Sequence, residues 1–201
     1  MSSSTLQLES RIVLPELGKV LVRELRRPED VEAYLRFGAA ISVDDLRMRF
    51  AAPTKWTPAL ARRMLTLAGT AFAAFGEDGE ILGVGRLVGN EIALAVRSKL
   101  KRRGLGRVLL ERIVHHASEH GMAEITGTAL AENRPMLALA QAAGFRMTGA
   151  EGPMVSGRLC LPRKPPHIRD FTVDSRFRLV SNALQDAALG SLGRRDQTEF
   201  T

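Results

Sequence analysis

Val96-Arg97-Ser98-Lys99-Leu100-Lys101-Arg102-Arg103-Gly104-Leu105-Gly106-Arg107-Val108-Leu109-Leu110 is the stretch on which the reading of this chain turns. The apolar run Ile92, Ala93, Leu94, Ala95, Val96 leads into it and predicts a buried strand. Beyond it, Leu105, Val108, Leu109, Ile113, Val114 and Ala117 recur at helical spacing. Between strand and helix stand six basic residues, no acid, and Gly104-x-Gly106. Glycines at a helix entry let backbone N–H groups approach a ligand. The helix N-terminus and the basic side chains add positive charge. The expected ligand is a pyrophosphate. A P-loop would need Gly-x-x-x-x-Gly-Lys-Ser/Thr, which is absent, and Leu109 occupies the third glycine position of a dinucleotide fingerprint. A solvated basic turn is the plain alternative.

The remaining pattern is that of an α/β chain. Val20 to Leu25 predicts a strand, and Pro28-Glu29-Asp30 opens a helix. Ser42, with Asp45 three residues on, caps a second helix, and Thr57-Pro58 starts a third. Strands follow over Thr70 to Phe75 and Ile81 to Val88, joined by the turn signal Asp78-Gly79. Gly89-Asn90 turns the chain into a strand beginning at Glu91. After the long helix come a short strand (Ile125 to Thr128), a helix from Asn133 to Ala143 ended by Gly144, and strands from Phe145 and over Val155 to Leu161. Residues 1–18 read as a flexible lead-in and 19–162 as one domain. Residues 163–201 read as a C-terminal extension, a linker plus a short helix through Phe177, Val180, Leu184 and Ala188.

The net charge of +7 favours anionic partners. Aromatic residues are only 5% of the chain, which disfavours base-stacking and therefore nucleic acid. The single cysteine, Cys160, excludes an intramolecular disulfide, and its apolar run predicts core packing. No apolar stretch is long enough for a membrane span and the N-terminus lacks a signal-peptide pattern, so a cytoplasmic protein is expected. His116 and His120 share a helix face, but Ala117 stands where a zincin has its glutamate and no third ligand is evident. The expectation is a solvated face and no metal.

Lys101-Arg102-Arg103-Gly104-Leu105-Gly106 resembles the Gln/Arg-x-x-Gly-x-Gly/Ala loop of the GNAT N-acetyltransferases. Asn133-Arg134-Pro135-Met136-Leu137-Ala138-Leu139-Ala140 followed by Gly144-Phe145 resembles their second cofactor motif. Asp44-Asp45-Leu46-Arg47-Met48-Arg49-Phe50, Asp78-Gly79-Glu80-Ile81-Leu82-Gly83 and Val96-Arg97-Ser98 are similar to segments of the GNAT domain of bacterial protein lysine acetyltransferases. The resemblance covers roughly Val20 to Leu161. It implies the GNAT fold: an α/β (α+β) chain with a mixed central sheet of six to seven strands flanked by helices, here with a C-terminal extension. It implies acetyl-CoA as cosubstrate and an amine acceptor, most similar to a protein lysine, attacked directly in a ternary complex by a monomer or homodimer.

Residue by residue, the resemblance implies Glu91 as the base, since counting from Val96-Arg97-Ser98 places it in register with the family's glutamate. Leu94, Ala95 and Val96 would pair with pantetheine, a backbone N–H near Val96 facing the thioester oxygen. Lys101, Arg102, Arg103, Gly104, Leu105, Gly106 and Arg107 would hold the pyrophosphate, and Asn133 and Met136 would contact CoA. Asn133 reads equally as a helix cap. Ala140 stands where many of these enzymes carry a tyrosine acid, so no general acid is assigned. A small-molecule amine acceptor, or a non-catalytic acyl-CoA-binding regulatory module, are the alternatives.

Overall fold

The computed structural model describes residues 9–25 and 30–161. The C-terminal extension and short helix expected over 163–201, and the helix opening expected at Pro28-Glu29, lie outside the described residues. Eight strands form one sheet in the order β1-β2-β3-β4-β5-β6-β8-β7. The strands are β1 (Glu9–Leu14), β2 (Gly18–Glu24), β3 (Thr70–Phe75), β4 (Ile81–Val88), β5 (Glu91–Val96), β6 (Glu124–Leu130), β7 (Arg146–Glu151) and β8 (Met154–Cys160). The helices are α1 (Val31–Ala39), α2 (Val43–Phe50), α3 (Pro58–Thr66), α4 (Leu105–Glu119) and α5 (Arg134–Ala142). The β5–β6 pair is parallel and every other neighbouring pair antiparallel.

The eighth strand comes from the N-terminus. Residues expected to be a loose lead-in include β1, which pairs with β2 from Glu9↔Arg23 to Leu14↔Gly18. Ile12 and Leu14 bury their side chains while Val13 is exposed, a period of two hidden behind the polar Glu9-Ser10-Arg11. Cys160 is likewise not in the core. At the end of β8, Leu159 and Leu161 point inward and Cys160, between them, faces outward.

Two apolar layers sandwich the sheet. On one face Ala71, Ala73, Phe75, Ile81 and Val84 pack against α1, α2 and α3. On the other, Phe72 and Ala74 meet α4 through Leu105, Leu109 and Ile113. Strand β3 is apolar from Ala71 to Phe75 because both its faces are covered. Gly83 and Gly85 of β4 let α4 lie close. A Cβ on Gly85 would sit 2.8 Å from Ile113 Cδ1 and 2.9 Å from Leu94 Cδ2.

Gly38 in α1 serves a similar end, because the indole of Trp56 lies where its Cβ would be, 1.8 Å from Trp56 Cε2. Trp56 Nε1 donates to Leu35 O at 3.2 Å, fixing the ring over the helix. Elsewhere a helical Gly→Ala gains up to about 1 kcal/mol. Here Gly38→Ala is expected to cost about 1–3 kcal/mol through overpacking, read as a lower midpoint in denaturant unfolding.

The face of α4 that carries the histidines is only partly solvated. His120 is exposed, but the His116 ring packs edge-on against Phe72 at 5.3 Å and lies 4.0 Å from the His120 ring. Burial, with the charges of His120 and Arg112, pushes the His116 imidazole down to about 4. The unfolded chain protonates this residue near 6.5, so between these values it binds more protons than the folded one. Stability present above pH 6.5 is therefore lost as pH falls towards 4. A His116→Gln variant is expected to show a shallower fall of Tm across that window than the native chain.

Candidate active site

Strands β5 and β6 are in register at Glu91↔Thr126 and then diverge. Arg97 N–H donates to Leu82 O at 2.9 Å, which sets the alternation of the β4–β5 ladder. The N–H groups of Leu94 and Val96 therefore point away from β4, into the gap between β5 and β6. That ladder is continuous from Val88↔Glu91 to Gly83↔Val96, so the opening is a splay without a bulge in β5.

The gap is a cavity of about 1010 Å³, walled by α2 on one side and by β6 and α5 on the other, with the start of α4 at its open end. All the expected site residues line it except Arg103: Glu91, Leu94, Ala95, Val96, Lys101, Arg102, Gly104, Leu105, Gly106, Arg107, Asn133 and Met136. Arg103 turns its guanidinium to Glu16 in the β1–β2 turn, at 3.3 Å.

The open end is a helix start left uncapped. Ser42, Thr57 and Asn133 cap α2, α3 and α5 through their side-chain oxygens. At α4 the cap position is Gly104, with φ +87° and no side chain to offer. The first N–H groups of α4 thus face the cavity without a protein acceptor from the cap, as an anion site requires. Arg102, at φ +64°, adds a second left-handed residue, and this sharp turn folds the loop over the helix end. Space at Gly106 is tight: a Cβ would lie 3.2 Å from Leu139 Cδ2.

Most of the loop's charge is already paired. Arg97 bonds Glu80 at 2.7 Å, Lys101 pairs with Asp45, and Arg107 with Glu111 at 3.1 Å. Arg102 lines the cavity with no carboxylate partner among the described residues. Asp45 accepts from Ser98 Oγ at 2.5 Å as well as from Lys101, and Ser98 Oγ accepts from Ser42 N–H at 2.8 Å. Burial pushes the Asp45 carboxyl up, but the hydrogen bonds from Lys101, Ser98 and Ser42 outweigh it and hold it below its usual value. This network ties the loop before α4 to the first turn of α2. A second tie, Arg47 to Glu132, joins α2 to the entry of α5 across the cleft.

At the closed end the Glu91 side chain lies on the face shared with Ala93 and Ala95, towards α1, α2 and α3. Arg49 of α2 lines both the cleft and a small adjoining cavity of about 20 Å³, in which Tyr34, Trp56 and Arg86 also take part. Arg49 is not among the site residues expected from the sequence. Its signal was the spacing Leu46–Arg49–Phe50, which turns Arg49 to the inward side of α2. Ala140 lines the cleft, and the chain's single tyrosine, Tyr34, lies instead in the small cavity. Asn133 is a helix cap first: its Oδ1 accepts from Met136 N–H at 3.3 Å. Among the described residues no three His, Cys, Asp or Glu gather as a metal group, and no helix is long and apolar enough to cross a membrane.

A model of the acetyltransferase (GNAT) family matches residues 39–145, from the end of α1 to the start of β7. Among solved structures, the GNAT domain of S. lividans PAT is 22% identical, with 79% of this chain and all of that one covered and a TM-score of 0.70. A GCN5-related N-acetyltransferase from Kribbella flavida is 23% identical over 73% of this chain and 99% of its own, at a TM-score of 0.60. The ribosomal-protein-S18-alanine N-acetyltransferase from Escherichia coli is 18% identical over 76% and 99%, at 0.52.

Asp45, which itself lines the cavity, keeps its size and shape in Asp45→Asn, but the change loosens the Lys101–Ser98 brace. It is expected to weaken acetyl-CoA binding roughly tenfold, the size of one lost charge-assisted hydrogen bond, measured by titration calorimetry.

Proposed function

The chain belongs to the acetyltransferase (GNAT) family and is an acyltransferase, and we propose that it moves an acetyl group from acetyl-CoA to a protein lysine with Glu91 as base. The observation that carries this reading is the splay, with a carboxylate at its closed end and an uncapped helix N-terminus at its open end. The lysine acceptor is supported by the segments Asp44–Phe50 and Asp78–Gly83, which resemble bacterial protein lysine acetyltransferases.

The residues present fit acetyl-CoA. Gly104 and Gly106 leave the helix end open, Arg102 is ready for a phosphate, and the β5 edge offers backbone groups to an extended chain. When bound, acetyl-CoA supplies the thioester. Glu91 takes a proton from the acceptor ammonium, which otherwise holds it until pH ~10.4. The neutral nitrogen then bonds to the carbonyl carbon. Val96 N–H, turned away from β4, donates to the carbonyl oxygen in this reading as negative charge gathers there. The carbon–sulfur bond breaks, and the sulfur leaves as thiolate. The proton released by the new amide nitrogen goes through water to that thiolate, since Ala140 carries no acid.

Glu91→Gln is expected to lower kcat by roughly 10²–10⁴ at neutral pH, the usual range for a lost general base. The deficit narrows towards pH ~10.4, where the acceptor is neutral without help. Acetyl-CoA still raises the Tm of the variant. Near-normal kcat/KM at pH 7 excludes Glu91 as the base. Absence of turnover by the native chain across a peptide and amine panel, with acetyl-CoA bound, favours the regulatory module instead.

A further inference from the structure

Two arginines that line the cleft have no ion pair or hydrogen bond from their guanidinium groups among the described residues, and they stand at opposite ends. Arg102 lies on the cofactor loop, where phosphate charge is expected. Arg49 lies at the other end, on α2, beside the proposed base. Its neighbours on the same helix are satisfied: Arg47 pairs with Glu132, and Asp45 with Lys101. The Arg49 guanidinium carbon lies 5.1 Å from the Phe50 ring centroid, a contact that orients it but does not neutralise it.

The surroundings add positive charge. Arg86, buried in β4, lines the small cavity beside Arg49 and donates to Leu67 O at 3.2 Å. Arg86 acts on Arg49 as a like charge, and Glu91 acts on it as the opposite one. Burial also pushes the Arg49 guanidinium below its ordinary value. Arg49 and Glu91 thus present one cation and one carboxylate to whatever enters this end of the cleft. A bare ammonium entering there meets repulsion from Arg49 and attraction from Glu91. An acceptor that brings its own anion satisfies both.

We propose that the acceptor carries a carboxylate close to its reacting amine, and that Arg49 is the specificity residue that receives it. The inference rests on the acetyl-transfer reading and narrows its acceptor class. The carboxylate can come from an acidic residue next to the lysine or from the acceptor's own α-carboxyl. Guanidinium geometry suits a bidentate carboxylate, which lysine at the same position cannot reproduce.

The test compares matched acceptors that differ in one charge. One arm uses lysine peptides with Asp or Asn beside the lysine; the other uses free lysine against lysinamide, with kcat/KM corrected for the neutral-amine fraction. The native chain is expected to favour the carboxylate member roughly tenfold to hundredfold in at least one arm, mainly through KM. The arm that shows the preference identifies the source. Arg49→Gln is expected to bring that ratio near one, and Arg49→Lys to keep part of it, with the acetyl-CoA-induced rise in Tm reporting the fold of each. Equal rates for the paired acceptors in both arms, or no turnover of either carboxylate member, overturn the proposal even if Arg49→Gln fails to fold. So does an Arg49→Gln loss that is equal for both members of a pair. Failure of the base reading looks different: Glu91→Gln then retains turnover while the carboxylate preference stays.

Discussion

β5 and β6 are joined where Thr126 N–H donates to Asn90 O at 2.7 Å, and beyond Glu91↔Thr126 they separate. A sheet normally uses every strand edge, because backbone groups left alone in an interior are costly. Here the ladder stops at Glu91, the first residue of β5, and the backbone groups beyond it face a cavity. The arrangement persists because each strand is held from its other side. β4 holds β5 through a full ladder, and β8 holds β6 from Leu130↔Met154 to Glu124↔Cys160. The core beneath the sheet, with Leu109, Ile113 and Ile125 fully buried, fixes both halves at once.

Given that opening, the polar ties decide how it is used. Asp45 and Ser98 bind the loop before α4 to α2, Glu80 ties Arg97 to Arg36 of α1, and Arg47–Glu132 bridges to the entry of α5. Several of these pairs are exposed, and each contributes little to stability. Their value is positional. They pair most of the loop's cations and hold its backbone in place at the start of α4. A loop that appears in the sequence as a dense basic patch is, in the fold, a mostly neutralised one.

Much of the fold was legible because local chemistry and tertiary packing agree. Ser42, Thr57 and Gly104 start helices where their side chains, or lack of one, dictate. Asp78-Gly79 and Gly89-Asn90 turn hairpins, with positive φ at Gly79 and Gly89. The places that were not legible share one cause. The character of β1, Cys160 and His116 depends on which neighbours arrive from elsewhere in the chain. Ile12 and Leu14 are strand residues because β2 lies alongside, and His116 is half-buried because Phe72 of β3 packs on it.

For the site, the sequence by itself determined the strand–loop–helix unit, the glycines that open the start of α4, and the carboxylate six residues before the loop arginine Arg97, because these depend on spacing along one short segment. Only the tertiary structure decided which charges remain available. Arg103 turns to Glu16, Lys101 to Asp45, and Arg49 is carried inward beside Glu91 by the face of α2 that Leu46 buries. Charge pairing joins residues tens of positions apart, so no local pattern records it.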